Sequence, residues 1–227
     1  MAKTSDTIRA RLHAAGRRFR ANDNIADCIE PGELAALTDE VAGQIEGVLR
    51  SLVIDIENDH NTQQTAQRVA RMYVEEVFAG RYLPSPDLTA FPNVNAYDEL
   101  YIVGPITIRS TCAHHLQNIR GSCWIGIYPG RNVLGLSKFY RLSEWIASRP
   151  QIQEEMTIQI ADLVEEETSA EGLAVVVKAE HMCVTHRGVR EHASDMTTSV
   201  LRGTLRDNSD TRAEFFRLLQ GMKGFSA

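Results

Sequence analysis

None of the apolar runs in this 227-residue chain is long enough to span a bilayer, which removes a transmembrane reading. A basic excess is also missing. The formal net charge of -6 excludes a general nucleic-acid binder, which needs a cationic surface to neutralise phosphates. It leaves room for a small, locally basic pocket that takes a phosphorylated metabolite. Neither an internal repeat nor a low-complexity tract occurs, so the chain reads as an ordinary globular protein. Cysteine is scarce: Cys28, Cys112, Cys123 and Cys183. With no secretory signal, a reducing, cytoplasmic setting is expected, and these thiols read as metal ligands or buried apolar groups rather than disulfides. Residues 1–33 carry Arg9, Arg11, Arg17, Arg18 and Arg20 and read as a basic, partly flexible segment with a loosely ordered helix, rather than as an organellar transit peptide.

What is present falls into two further regions. Over 34–98 the pattern is helical. Leu34, Leu37, Val41, Ile45, Val48, Leu52 and Ile56 predict one long amphipathic helix after the turn Glu30-Pro31-Gly32, and a second runs from Thr65 to a stop at Gly80. Residues 81–98, with three prolines, read as a surface loop. Residues 99–227 change character. Strands are predicted at Leu100–Arg109, Ile119–Tyr128, Gly172–Ala179 and Thr197–Leu205. Helices are predicted from Gly135 to before Pro150, over 151–168, and from an N-cap at Ser209 with Phe215, Leu218 and Leu219 inward. That order predicts an α+β domain, a four-stranded antiparallel sheet with helices on one face and two open edges that invite oligomerisation.

The chemistry-bearing residues cluster in two stretches, Ser-Thr-Cys-Ala-His-His at 110–115 and His-Met-Cys at 181–183. Cys112 and His115 can aim at one point from a single turn, with Cys183 as a third ligand, which describes a zinc site with an open position for water or substrate. Cys123 lies inside a strand and reads as a buried apolar residue, with a fourth ligand as the alternative. A thiol nucleophile paired with a histidine leaves Cys183 idle and explains less. His114 and His181 flank the ligands without belonging to them and suit proton transfer. Ser137 reads as the cap of a helix whose N–H groups attract anions, and Lys138 and Arg141 share that helix's face; Arg187 could join them as a phosphate clamp. Glu154 reads, on its own, as a first-turn acid.

With these residues in view the chain resembles the GTP cyclohydrolase I family, from about residue 34 onward. The resemblance rests on Cys-Ala-His-His-Leu (112–116), Gly-Leu-Ser-Lys (135–138), Gln-Ile-Gln-Glu (151–154), His-Met-Cys (181–183) and Arg-Gly-Val (187–189). It implies the tunnelling fold, with pentamers closing their sheets into a barrel and two pentamers stacking as a decamer. It further implies a Zn2+ ion on Cys112, His115 and Cys183, a water attacking C8 of GTP, and 7,8-dihydroneopterin triphosphate and formate as products. His181 would protonate the imidazole nitrogen, His114 would assist proton traffic, and Gln153 and Glu154 would meet the guanine. Ser137, Lys138, Arg141 and Arg187 would hold the triphosphate, with Arg68 or Arg71 reaching in from a neighbouring subunit. The chain departs from the family pattern at Ala113 (usually Glu), Ala66 (Pro), Asn118-Ile119 (Pro-Phe), Pro150 (Leu) and Met196 (Thr). Two alternatives stand beside this reading. One is a paralogue that stops at a formamidopyrimidine nucleotide or takes another purine nucleotide; the other is a non-catalytic nucleotide-binding assembly with structural zinc.

Overall fold

A computed structural model describes residues 3–225, which divide into two compact units, one ending at Pro84 and the other beginning at Ser85. The expected boundary at 98/99 therefore moves: the proline-rich segment from Ser85 belongs to the second unit, where Ala90–Pro92 (β1) pairs with Asn132–Leu134 (β4).

The first unit holds helices α1 (Thr4–Ala14), α2 (Glu33–Ser51), α3 (Thr65–Arg71) and α4 (Ala79–Tyr82). The basic segment is more ordered than its composition suggests. Ile8 and Leu12 lie on one face of α1 and are buried with Ile25, Cys28 and Leu37. Arg11 pairs with the Glu33 carboxylate and donates to the Cys28 carbonyl, tying α1 to the start of α2. α2 stops before Leu52 and Ile56. Val53 takes a left-handed φ of 60°, and Asp55 and Asp59 then accept nearby backbone N–H groups, offering the chain a local alternative to helix. The predicted second helix is also interrupted, by a π-helical run at Met72–Val77. Gly80 is not its stop. It lies buried inside α4, and the chain leaves helix at Leu83, where the following proline favours extended backbone.

The Arg11 guanidinium, by hydrogen bonding, holds the Glu33 carboxyl below the usual carboxylate range. A lowered folded pKa contributes stability that is fully present above the unfolded value, about 4.3, and is lost as pH falls through the folded value. Melting curves of wild type and Glu33→Gln should therefore differ near pH 6 and converge towards pH 3.

The second unit is built on a sheet of β5 (Pro150–Gln151), β2 (Tyr101–Cys112), β3 (Asn118–Tyr128), β6 (Gly172–His181) and β7 (Met196–Gly203), in that order. The four long strands are antiparallel as expected, and two-residue β5 adds a short parallel edge beside Thr111 and Cys112. β2 carries a bulge between Val103 and Ile106, which is how Pro105 is tolerated in a strand. Helices α5 (Leu136–Ala147) and α6 (Gln153–Thr168) cover one face. Phe139, Leu142, Ile146, Met156, Ile160 and Val164 pack there against Ile106, Ile108, Cys123, Ile125, Val175 and Val177.

The other face is not left bare, which corrects the expectation of helices on one side only. The chain after β7 turns into α8 (Thr204–Asp207) and α9 (Ser209–Gln220), and Leu205, Phe215 and Leu219 cover Trp124, Ala174 and Val176. Double coverage explains the near-continuous apolar runs of β3 and β6. The cap of α9 is Asn208, whose side chain accepts from the N–H groups of Asp210 and Thr211, rather than Ser209. Leu218, expected inward, is exposed.

Candidate metal centre and nucleotide site

The metal-ligating residues meet because of strand register. β2 and β3 form a hairpin whose turn spans residues 113–117, closed by hydrogen bonds from Cys112 N to Gln117 O and from Leu116 N to Cys112 O. Leu116 takes a φ of 52° to complete this tight turn. Across the sheet Ser110 pairs with Ile119, and Ile119 with His181, so the end of β2 and the end of β6 lie at one edge of the domain. The next residues form α7 (Met182–Thr185), which carries Cys183. Glu180 fixes this corner by accepting from Thr185 Oγ1 at 2.8 Å and from Arg120 Nε at 2.9 Å, and these bonds hold its carboxyl below the usual range.

The outcome is a compact donor set. The ligand atoms of Cys112, His115 and Cys183 all lie within 4.8 Å of one another. Two thiols and one imidazole suit zinc, whose sites are built from sulfur and nitrogen. The Cys183 thiol is pushed up by burial and by the facing Cys112 thiol, while Arg187 opposes that shift. A zinc ion held by these residues would oppose that rise, because a cation favours the thiolate. Cys123 takes no part. It is fully buried in the core, and burial drives its thiol far above the ordinary value. Among the described residues no fourth histidine, cysteine or carboxylate joins the cluster.

The two flanking histidines have different surroundings. His114 Nδ1 lies 3.7 Å from Cys112 Sγ, and its ring centroid stands 6.5 Å from that of His115, so the two neighbours diverge. His181 is half-buried; desolvation lowers its pKa, and the Glu154 carboxylate partly offsets this, which places that acid in electrostatic reach of the ring. Glu154 itself is exposed in the first turn of α6.

Arg187 is exposed just past α7, and the other phosphate-clamp candidates divide into three sets. Lys138 and Arg141 share a face of α5, and Lys138 Nζ donates to the Asp87 carbonyl at 2.6 Å. Ser137 is exposed but does not cap α5, because the helix begins at Leu136 and its cap position is Gly135. Arg68 and Arg71 are exposed residues of α3 in the first unit.

Gln153 requires a correction. Expected to touch a ligand, it is fully buried and committed at both ends of its amide: Oε1 lies 2.8 Å from His181 Nε2, while the two Nε2 hydrogens are shared among Val177 O, Met196 O and Thr198 Oγ1. Its amide therefore packs against the Nε2 side of the His181 ring. Glu180, Thr157 and Thr198 were not singled out by the sequence. A usable signal existed for two of the four residues concerned, since Gln153 and Thr157 are polar residues at helical spacing on the otherwise apolar stripe of α6.

Comparison with known proteins agrees with this geometry. The profile of the family described as GTP cyclohydrolase I matches residues 41–220. The chain belongs to the GTP cyclohydrolase I family. A GTP cyclohydrolase 1 of Enterobacter sp. (strain 638) is 37% identical over 181 residues, covering 79% of this chain and 81% of that protein. A GTP cyclohydrolase 1 of Erwinia tasmaniensis is 38% identical over 178 residues, covering 78% and 80%. A solved structure, the archaeosine synthase QueF-Like in its apo form, shows 14% identity and a TM-score of 0.36 over 53% of this chain and 97% of that one. Like the enzymes of those relatives, this GTP cyclohydrolase I family member is a hydrolase by kinship, and its Cys112–His115–Cys183 cluster falls inside the matched span.

Proposed function

We propose that this protein hydrolyses GTP at purine C8, opens the imidazole ring, releases formate and forms 7,8-dihydroneopterin triphosphate. The observation that carries the reading is the three-donor cluster with His114 and His181 beside it. Cys112, His115 and Cys183 would hold a zinc ion, whose chemistry would be to make a water acidic enough to act near neutrality. His181 handles the proton exchanged between that water and the purine ring nitrogen, and His114 serves the later transfers. Glu154 accepts hydrogen bonds from the N–H edge of guanine. The Lys138 ammonium, now on the Asp87 carbonyl, exchanges that neutral acceptor for phosphate oxygens, alongside Ser137, Arg141 and Arg187. Arg68 or Arg71 of a neighbouring subunit completes the clamp.

The same reading places the protein in the cytoplasm as a homodecamer. Two open strand edges support self-association: the outer edge of β2 beyond its short pairing with β5, and the outer edge of β7. Those two strands run in opposite directions, so a second copy docks as an antiparallel continuation.

Mass spectrometry of GTP incubated with zinc-loaded protein tests the function. Dihydroneopterin triphosphate and formate are the expected products, and unchanged GTP across a range of metal and pH conditions contradicts the proposal. One residue favours a second reading. Ala113, where the family pattern carries a carboxylate, contributes only a methyl group and a backbone N–H to Gln151 O, so one proton carrier is missing beside the ligands. A product that retains the formyl carbon and lacks pterin fluorescence selects a formamidopyrimidine-forming enzyme instead. For the guanine contact, Glu154→Ala should lower kcat/KM for GTP by about 10- to 100-fold, the weight of a charged hydrogen bond, and narrow the preference for GTP over ITP. Competition kinetics with the two nucleotides reads this directly.

A further inference from the structure

The hydrogen bonds around Gln153 have only one consistent set of directions. Thr157 Oγ1 lies 2.7 Å from the backbone carbonyl of Gln153, an acceptor only, so the Thr157 hydroxyl must donate there. Thr157 Oγ1 also lies 2.7 Å from Thr198 Oγ1, and with its own proton already placed it accepts from the Thr198 hydroxyl. Thr198 Oγ1 is then left as an acceptor, 3.1 Å from Gln153 Nε2. Two backbone carbonyls, Val177 O and Met196 O, each 3.0 Å away, demand the same of that nitrogen. The reverse orientation sets the oxygen of this fully buried amide against two carbonyl oxygens, at a cost of several unmade hydrogen bonds. The amide oxygen therefore faces His181 Nε2 at 2.8 Å, and an amide oxygen accepts.

We propose that Gln153, oriented by Thr157 and Thr198, is a positioning residue that locks His181 in the tautomer protonated at Nε2, so that Nδ1 is the nitrogen left free for the reaction. The functional half of this inference rests on the purine-hydrolysing reading above; the tautomer does not. The lock sets an order of events. With Nε2–H committed to Gln153 Oε1, Nδ1 carries a lone pair, so His181 first accepts a proton there from the attacking water as the new O–C8 bond forms. The imidazolium then returns that proton to the purine nitrogen that leaves as the C8–N bond breaks. Throughout, Nε2–H stays on Gln153 Oε1, whose partial charge stabilises the transient cation. Atoms balance as one water added across the ring bond.

Two-bond 1H–15N correlation spectra of the full chain at about pH 8, where imidazoles are neutral, test the tautomer without substrate. His181 is assigned among the seven histidines by its absence in His181→Ala. A protonated Nε2 and bare Nδ1 are expected in both zinc-loaded and zinc-free protein; a protonated Nδ1 overturns the proposal. Gln153→Met should populate both tautomers and lower kcat about 10- to 100-fold, with KM for GTP and zinc content held. Thr198→Val, which removes only the orienting hydroxyl, should shift both readouts in the same direction by less. A rise in KM at constant kcat in Gln153→Met overturns the positioning role in favour of direct substrate contact. If GTP is not turned over at all while the wild-type spectrum shows the Nε2–H form, the functional reading fails and the lock stands.

Discussion

Replacing Cys112 by serine is expected to strip the protein of zinc and of GTP turnover together. Four-ligand zinc sites bind with apparent free energies of about 10–16 kcal/mol, so one protein ligand carries on the order of 3 kcal/mol or more. Losing it weakens binding at least about 100-fold. Serine cannot substitute, because its hydroxyl stays protonated where the thiol of a cysteine ionises onto the metal. Cys112 is also almost wholly buried at the end of β2, held by its N–H on Gln117 and its carbonyl on Leu116, so serine keeps the backbone turn while changing the donor. The checks are metal content by mass spectrometry after dialysis and a thermal melt. Loss of zinc with a retained fold supports the ligand assignment; full metal occupancy in the variant contradicts it.

The second large effect belongs to His181→Ala. Here zinc should stay, because the ring is held by Gln153 and is not among the three clustered donors. Turnover should fall on the order of 100- to 10,000-fold, the weight of a positioned general acid–base group. The stall should come at or before ring opening, so the nucleotide recovered is GTP or its C8 hydrate rather than a pterin. Undiminished pterin formation with zinc in place rules out the assigned role. The pair of variants is informative because the two failures look different: one loses metal and chemistry, the other loses chemistry alone.

Most of what these predictions use is local, and local features are what a sequence displays. β3 and β6 stand out because each carries a mostly apolar stretch, Cys123–Ile127 and Leu173–Val177, and those stretches prove buried. α6 stands out because Met156, Ile160 and Val164 recur at helical spacing. The Cys-x-x-His turn is visible for the same reason, since its geometry is settled within six residues. What escaped is non-local. That α9 covers the far face of the sheet depends on where β7 delivers the chain, and nothing in Phe215 or Leu219 says which face they will meet. Gly80 has the composition of a helix stop, and only its burial in α4 overrides that. Ser137 lost its capping position by a shift of two residues, within the usual fraying of helix boundaries. Gln153 is the instructive case. Its position in Gln-Ile-Gln-Glu suggests a ligand contact, and only the return of β7, bringing Met196 and Thr198 over the start of α6, encloses it.

The register that joins Ser110, Ile119 and His181 has a consequence for how the protein would come to hold a metal ion. Before β6 pairs with β3, the chain offers only Cys112 and His115 from one short turn, while Cys183 is still on a distant, unfolded stretch. Two donors on a flexible loop bind weakly, and the cost of closing that long loop must be met before the third can help. Metal capture is therefore expected late, as a report that three strands have zipped in register rather than a seed around which they gather. By linkage, whatever binds only the finished sheet also resists its unravelling, so added zinc should raise the melting temperature of the Ser85-onward unit while barely altering how fast it folds.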